Sequence, residues 1–292
     1  MSNRVFKQEL WKKQIQNDLE HITGLSKHSD HTYSGDIKYG NTLDITSSVK
    51  PTIGDYVPGT DIAFENVSGT AMKLVIDKAK YATQQFDDVD RAQSIPGVME
   101  NATRELAKEL HYQADLAVAN VIKDATDNGV DYIDKNDAPA TATIAQEATA
   151  SEVTEANALA RINAGLTKLY ENDVKPTMDL WGEFTPAYYE KIRDKLTDRL
   201  TNNVELAKKG IVGKYYNVNV TIDNAMPVSG EARYNVLRTG KAIAFAGQID
   251  KVESGRREAQ FADYVKALLV FGTRVVRPKE MYVIKETYTG TI

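Results

Sequence analysis

Leu74-Val75-Ile76-Asp77-Lys78-Ala79-Lys80-Tyr81-Ala82 alternates as a strand, Asp87-Asp88-Val89-Asp90-Arg91-Ala92-Gln93-Ser94 turns acidic, and from Pro96 the chain takes up a helical period. Met99, Ala102, Leu106, Leu110, Ala114, Ala117 and Val121 then recur every three or four residues, the spacing that lays one stripe of a helix on a sheet. About twenty-five residues at about 1.5 Å each reach nearly 40 Å, well past the usual three turns, so this helix spans a domain. Ser94 offers an N-cap oxygen, and Pro96 suits the first turn, where its missing N–H costs little. The carboxylates of Asp87, Asp88 and Asp90 stand toward the positive end of the helix dipole. They lack the ligand spacing and turn glycine of a calcium loop, so they read as a helix flank and no metal is expected.

Working outward, 292 residues with 42% hydrophobic and 26% charged content supply one or two buried cores and exclude a disordered chain. No apolar run approaches the roughly 18 to 20 residues that cross a bilayer, and Met1 to Glu9 carries no signal-peptide core. No membrane partner is expected, and the product is expected to stay in the cytoplasm of the cell that makes it. The absence of cysteine removes disulfides, thiolate zinc sites and cysteine nucleophiles together. A formal charge of −5 argues against general affinity for phosphate backbones, leaving weak nonspecific DNA contact at most.

Residues 4 to 22 read as an amphipathic helix carrying Phe6, Leu10, Ile15, Leu19 and Ile22. From His28 to Gly40 the chain turns polar and aperiodic, as an extended arm does. Residues 41 to 86 read as an elongated two-stranded hairpin with little core of its own, broken by Pro51, Gly54, Pro58 and Gly59. Met72, Leu74 and Ile76 give the returning strand the better apolar face. Beyond the long helix, residues 124 to 150 have the composition of a solvated loop. A second helix follows with Leu159, Ile162, Leu166 and Leu169 on one face, ending before Pro176. Met178 to Gly182 reads as a short buried strand, and Thr185-Pro186 opens a third helix with Tyr188, Tyr189, Ile192 and Leu196. After the turn glycines Gly210 and Gly213, Tyr216, Val218, Val220 and Ile222 alternate with Asn217, Asn219 and Thr221 as a half-buried strand. Further strands are expected at Ala242 to Phe245, Tyr264 to Val276 and Met281 to Ile284. Helices and strands interleave without a regular β-α-β beat, so the class is α+β.

Candidate chemistry is sparse. His28-Ser29-Asp30-His31, with His21 nearby, is a histidine cluster on what reads as an exposed polar arm, which does not hold metal ligands rigidly. Ser47-Ser48-Val49-Lys50 has the Ser-x-x-Lys spacing of some serine hydrolases, in which the lysine activates the serine. It sits in a strand-like loop where a helix is required, and Arg238-Thr239-Gly240-Lys241 only poorly echoes a supporting motif. No phosphate-binding glycine loop occurs, and no cofactor is expected. Lys208-Lys209 and Arg256-Arg257 lack interleaved aromatics, so they read as solvated faces or subunit ion-pair donors. Fifteen tyrosines against seven phenylalanines suit half-wet packing surfaces such as interfaces.

The order of elements resembles the major capsid proteins of tailed bacteriophages, whose shell fold is shared with encapsulins. The resemblance rests on Ile76-Asp77, Tyr81 and Asp87 to Gln93 leading into the helix, and on Gly210-Ile211-Val212-Gly213-Lys214-Tyr215-Tyr216-Asn217-Val218-Asn219-Val220. It rests as well on Ala242 to Gln248 followed by Arg256, Phe261, Tyr264 and Val275-Val276-Arg277-Pro278. It implies an N-terminal arm (1–40), an extended loop (41–86), a peripheral domain with the spine helix (87–149), an axial domain (150–249), and the peripheral domain's long strand with the C-terminus (250–292). It implies a non-enzymatic subunit of an icosahedral head enclosing double-stranded DNA, assembled in the host bacterial cytoplasm and residing in the virion. Its partners would be copies of itself in hexamers and pentamers, a separate scaffolding protein, since only about forty residues precede the loop, and a portal. An encapsulin-like compartment is the alternative within this fold, and a serine hydrolase using Ser47 and Lys50 the alternative outside it. Some relatives crosslink a loop lysine; Lys50 lies in the corresponding region, but no partner asparagine or carboxylate can be matched.

Overall fold

The computed structural model describes residues 24–36, 41–46, 53–55, 58–59, 61, 71–88, 98–133, 139–197 and 213–287. The expected long helix is α1, Val98–Asp127, whose 30 residues span about 45 Å. Leu106, Leu110, Ala114, Val118, Ile122 and Ala125 form its buried line. Ala117 and Val121, expected on that line, lie at its margin. Both 117/118 and 121/122 offer an apolar or small pair, and a period of 3.6 fits either choice, so the sheet beneath decides. Ser94, Pro96 and Asp90 fall outside the described residues, as does the helix expected over 4–22.

The helix lies on a three-stranded antiparallel sheet ordered β12–β13–β3, where β3 is Lys78–Asp87, β12 is Ile243–Arg256 and β13 is Ala262–Val275. Its cover includes Ile243, Phe245, Ala267, Leu269, Phe271 and Val275. Lys78–Asp87, which the sequence places in the extended loop, is therefore an edge strand of this sheet, with Phe271 opposite Lys78 and Ala262 opposite Asp87. Alternation marks a strand but does not say which strand it pairs with.

The hairpin itself is β1, Thr42–Thr46, against β2, Ala71–Val75, with Thr42 opposite Val75 and Thr46 opposite Ala71. Its root is better held than expected: Ile45, Met72 and Leu74 pack on Ala244 and Ala246 of β12. Arg274 clips the root down by donating to Lys73 O at 2.6 Å and Asp131 O at 3.1 Å. A methyl on Gly272 would stand 2.3 Å from Val75 O and 3.0 Å from Ile76 Cα, both backbone atoms that cannot swing away. Gly272→Ala is expected to push the hairpin off the sheet and lower stability by about 1–3 kcal/mol, read as a shifted urea midpoint with increased amide exchange over 71–76.

Residues 124–150 are not one solvated loop. After α1 ends, β4 (Val130–Ile133) pairs with β5 (Pro139–Ala142), Ile144 is buried, and β6 (Ala145–Gln146) joins the second sheet. Two of the polar residues that suggest a loop, Asp131 and Thr141, stand opposite each other in this ladder, the Thr141 hydroxyl donating to Asp131 Oδ1 at 2.7 Å.

The second sheet runs β6–β14–β11–β7–β9–β8, with β10 (Val228–Ser229) beside β11. Its members are β7 (Leu180–Phe184), β8 (Gly213–Tyr215), β9 (Val218–Ile222), β11 (Ala232–Thr239) and β14 (Met281–Thr287). One face carries α2 (Ala158–Glu171) and α3 (Pro186–Thr197): Ile162, Leu166, Leu169, Tyr188 and Ile192 pack there on Leu180, Phe184, Val218, Val220, Leu237 and Ile284. Thr185 caps α3, its Oγ1 accepting from Tyr188 N at 3.3 Å. The opposite parity, Tyr234, Val236, Met281 and Val283, joins the core under α1. Burial on both faces explains why β11 shows no clean alternation and escapes the sequence reading. It also corrects β9, expected to be half-buried, because Asn219 and Thr221 are buried as well as Val218 and Val220. Tyr216 is not in that strand; it takes a left-handed turn with φ of 51° and stands exposed.

Candidate functional site

Where the α1 side of the second sheet runs out past β11, the strands present Arg238, Trp181 and Glu183. The turn Gly24 to His31, whose part from His28 is expected to be exposed arm, folds onto this corner with Leu25, Ser26, His28 and Ser29 all buried. The correction follows from charge. A buried arginine needs acceptors, and this turn supplies them through its backbone.

Arg238 has no exposed surface, and every guanidinium N–H group has a use. Nε donates to Glu183 Oε2 at 2.8 Å and Nη2 to Glu183 Oε1 at 2.7 Å, a two-pronged pair. Nη2 also donates to Leu25 O at 2.7 Å, and Nη1 donates to His28 O at 3.1 Å and Ser29 Oγ at 3.3 Å. His28 stacks on Trp181 with ring centres 3.8 Å apart and places Nδ1 3.1 Å from Glu183 Oε1. Burial pushes the Glu183 carboxyl upward, but the charge of Arg238 and the bonds from His28 and Arg238 outweigh it and hold the group below its ordinary range.

Two further carboxylates grip the same turn. Asp115 of α1 accepts from Gly24 N at 3.2 Å, Ser26 N at 2.8 Å and Ser26 Oγ at 2.7 Å. Asp223, just after β9, accepts from Leu25 N at 3.2 Å and Ala225 N at 2.7 Å. Burial raises the Asp115 pKa against the pull of its Ser26 and Gly24 bonds, with the charge of Glu183 adding to the rise. Burial also lifts Asp223 to about 6, opposed by the Ala225 N–H and reinforced by the charges of Asp115 and Glu183. One turn before Asp115, His111 is buried with neither ring nitrogen bonded, and desolvation lowers its pKa to about 4, so it is neutral at pH 7. The turn continues as a bridge to the first sheet, Asp30 N donating to Ile243 O at 2.8 Å and Phe245 N to Asp30 O at 3.0 Å. The corner thus joins α1 and both sheets to the Gly24–His31 turn. It is a structural rivet.

The other candidates fare differently. Ser47 and Lys50 lie outside the described residues, as do His21 and Lys208-Lys209. Arg256 pairs with Asp88 across the sheet edge, and Arg257 donates to Gln85 Oε1 at 2.6 Å and Gln260 Oε1 at 2.9 Å, so this doublet braces the β12–β13 turn against β3. Arg238 and Thr239, considered as a hydrolase echo, belong to the rivet and to a bond with Glu280. Among the described residues no group of three or more His, Asp or Glu is placed to hold a metal ion, and no helix is long and apolar enough to cross a membrane. Aromatic surface does stand open: Phe261 is 79% exposed at the β12–β13 turn, Tyr81 77% on β3 and Tyr216 67% beside β8. Exposed rings of this size suit contacts with another protein. The sequence carries no clear hint of the rivet, because Arg238 stands among the polar Arg233, Asn235, Thr239 and Lys241 and nothing local marks it as the buried charge.

No protein-family model and no curated protein matches the chain. Solved structures do. A structure from Mycobacterium phage Che8 is 25% identical over 90% of each chain, with a TM-score of 0.67. The capsid of cyanophage P-SCSP1u is 16% identical over 94% of this chain and 88% of that one, with a TM-score of 0.65. A virus-like particle from Pyrococcus furiosus is 10% identical over 94% of this chain and 98% of that one, with a TM-score of 0.59.

Proposed function

We propose that this chain, which has the shell fold of phage major capsid proteins, is the repeating subunit of an icosahedral phage head. The carrying observation is that the likeness to a phage structure extends over nine-tenths of both chains in the Che8 case, with a TM-score of 0.67. The role is structural: the buried polar groups of the rivet are spent on holding backbone, and similar structures include a phage capsid and a virus-like particle. The partner is another copy of the chain, met through the segment between Thr46 and Ala71 and through the exposed rings of Tyr81, Tyr216 and Phe261.

The division into arm, extended loop, peripheral domain and axial domain belongs to this proposal. Two cores support it, one under α1 and one under α2 and α3, with β3 moved from the loop into the peripheral part. A separate scaffolding protein, a portal and weak contact with packaged DNA complete the proposal, with assembly in the host bacterial cytoplasm and residence in the virion. The particle from Pyrococcus furiosus keeps the compartment reading as the second choice. The hydrolase reading gains no support.

Expression of the full chain, alone and with candidate scaffolding protein from neighbouring genes, followed by light scattering and negative-stain microscopy, tests the proposal. Closed particles of megadalton mass are expected. A chain that stays monomeric under both conditions and at all salt concentrations overturns it. Nucleic acid content against cargo protein in particles recovered from the native host separates head from compartment.

A further inference from the structure

We propose that the Gly24–Ser29 turn is a proton-sensitive grip on the root of the chain's first segment, in which a proton taken up by the Asp115 and Asp223 pair tightens the hold on the turn's backbone. The geometry carries it. The two carboxylates come from different elements, α1 and the chain after β9, and accept N–H groups from three successive residues, Gly24, Leu25 and Ser26. Their oxygens converge: a methyl on Gly24 would stand 2.2 Å from Asp223 Oδ2 and 3.2 Å from Asp115 Oδ2. The arginine beside them is fully engaged with Glu183, Leu25 O, His28 O and Ser29 Oγ, and bonds neither aspartate. Two like charges therefore share a buried site, and a proton on one of them relieves both the repulsion and the desolvation.

The charged group that bears on both aspartates is Glu183 from β7, itself bonded by Arg238 from β11 and His28 from the turn, while His31 bonds the same turn and the buried His111 lies one helical turn before Asp115. His28 is bonded to Glu183, and His31 Nε2 donates to Ser26 O at 2.7 Å. Glu183 adds negative charge to the pair, as its contribution at Asp223 shows. For Asp223 the folded pKa of about 6 lies above the ordinary 3.8, so the folded chain binds more protons than the unfolded one between those values. Stability at the turn therefore rises as pH falls through about 6, and is lost as pH rises through it. This is opposite in sign to Glu183, whose lowered pKa contributes stability that disappears only in stronger acid. The inference stands apart from the shell proposal, because it concerns the subunit alone.

Amide hydrogen exchange of Leu25 and Ser26 in the full chain tests it, measured at about pH 5 and about pH 7.5, corrected for intrinsic rates, with light scattering confirming one assembly state. Protection about tenfold greater in acid is expected. Asp223→Asn, which keeps an acceptor without the charge, is expected to abolish that ratio and to show the acid level of protection at both pH values. Equal protection in the native chain, or an unchanged ratio in the variant, overturns the proposal. Carbon-13 titration of the Asp223 carboxyl in the native chain decides the matter even where the variant fails to fold. A midpoint near 6 supports the proposal, and one near the ordinary 3.8 overturns it.

Discussion

Arg238→Ala is expected to lower subunit stability by about 3–5 kcal/mol, a large share of the 5–15 kcal/mol that holds a typical domain. The cause is what the substitution leaves behind. Glu183 stays fully buried without its counter-charge, and the carbonyls of Leu25 and His28 lose their donor. Because the lost partner is an ion in a dry corner, the penalty exceeds that of an ordinary deleted hydrogen bond. Urea denaturation of the unassembled subunit at pH 7 reads the effect. The paired change Arg238→Met with Glu183→Gln is expected to cost clearly less than the sum of the single changes, since it removes both charges together. A loss under about 1 kcal/mol for Arg238→Ala would show that the turn is held by packing instead, with the ions as bystanders.

The second large effect concerns assembly. Thr46 and Ala71 stand opposite each other at the end of the β1–β2 ladder. Replacing residues 47–70 by Asn-Gly therefore closes a two-residue hairpin in the register already present. Ile45, Met72 and Leu74 remain on Ala244 and Ala246, so the unfolding midpoint of the subunit is expected to stay close to the native one. Shell closure, on the proposed function, is expected to be lost outright, with no closed particles by negative-stain microscopy under conditions where the native chain forms them. Normal particles from the shortened chain would remove the hairpin from the assembly contacts. An unfolded product would instead mean that the distal loop serves the subunit's own core. A two-stranded ribbon has too little apolar surface to be stable by itself, which is why its distal part is expected to need a neighbour.

The contrast between these two regions marks how far a linear reading reaches. Around Leu106, Leu110 and Ala114 the apolar stripe is a short-range pattern, and the helix it announces is found with the expected period and more than the expected length. The same holds for Ile162, Leu166 and Leu169 on α2, and for the Thr185-Pro186 start of α3. The fold class and the capsid resemblance follow from such elements taken in order. Strands covered on both faces defeat that reading: β11 escapes it because it does not alternate cleanly, and β9 alternates in sequence yet buries its polar residues as well. Polar segments defeat it from the other side. His28 to His31 looks like solvated arm because its hydroxyl and histidine residues are those of loops, yet His28 and Ser29, with Ser26 before them, are buried and bonded inside the molecule.

From sequence alone came the long spine, the α+β class, the absence of thiol chemistry and the likeness to a phage shell, because periodicity, capping and composition act within a few residues of one another. Tertiary structure alone placed β3 beside β13, seated the hairpin root on β12 and turned an apparent arm into a buried rivet. Leu25 and Arg238 are 213 residues apart in the chain and 2.7 Å apart at their bond. Which carbonyl meets a buried guanidinium, and which of two strands an alternating run joins, is decided by the desolvation of distant groups brought together, and no local pattern records it.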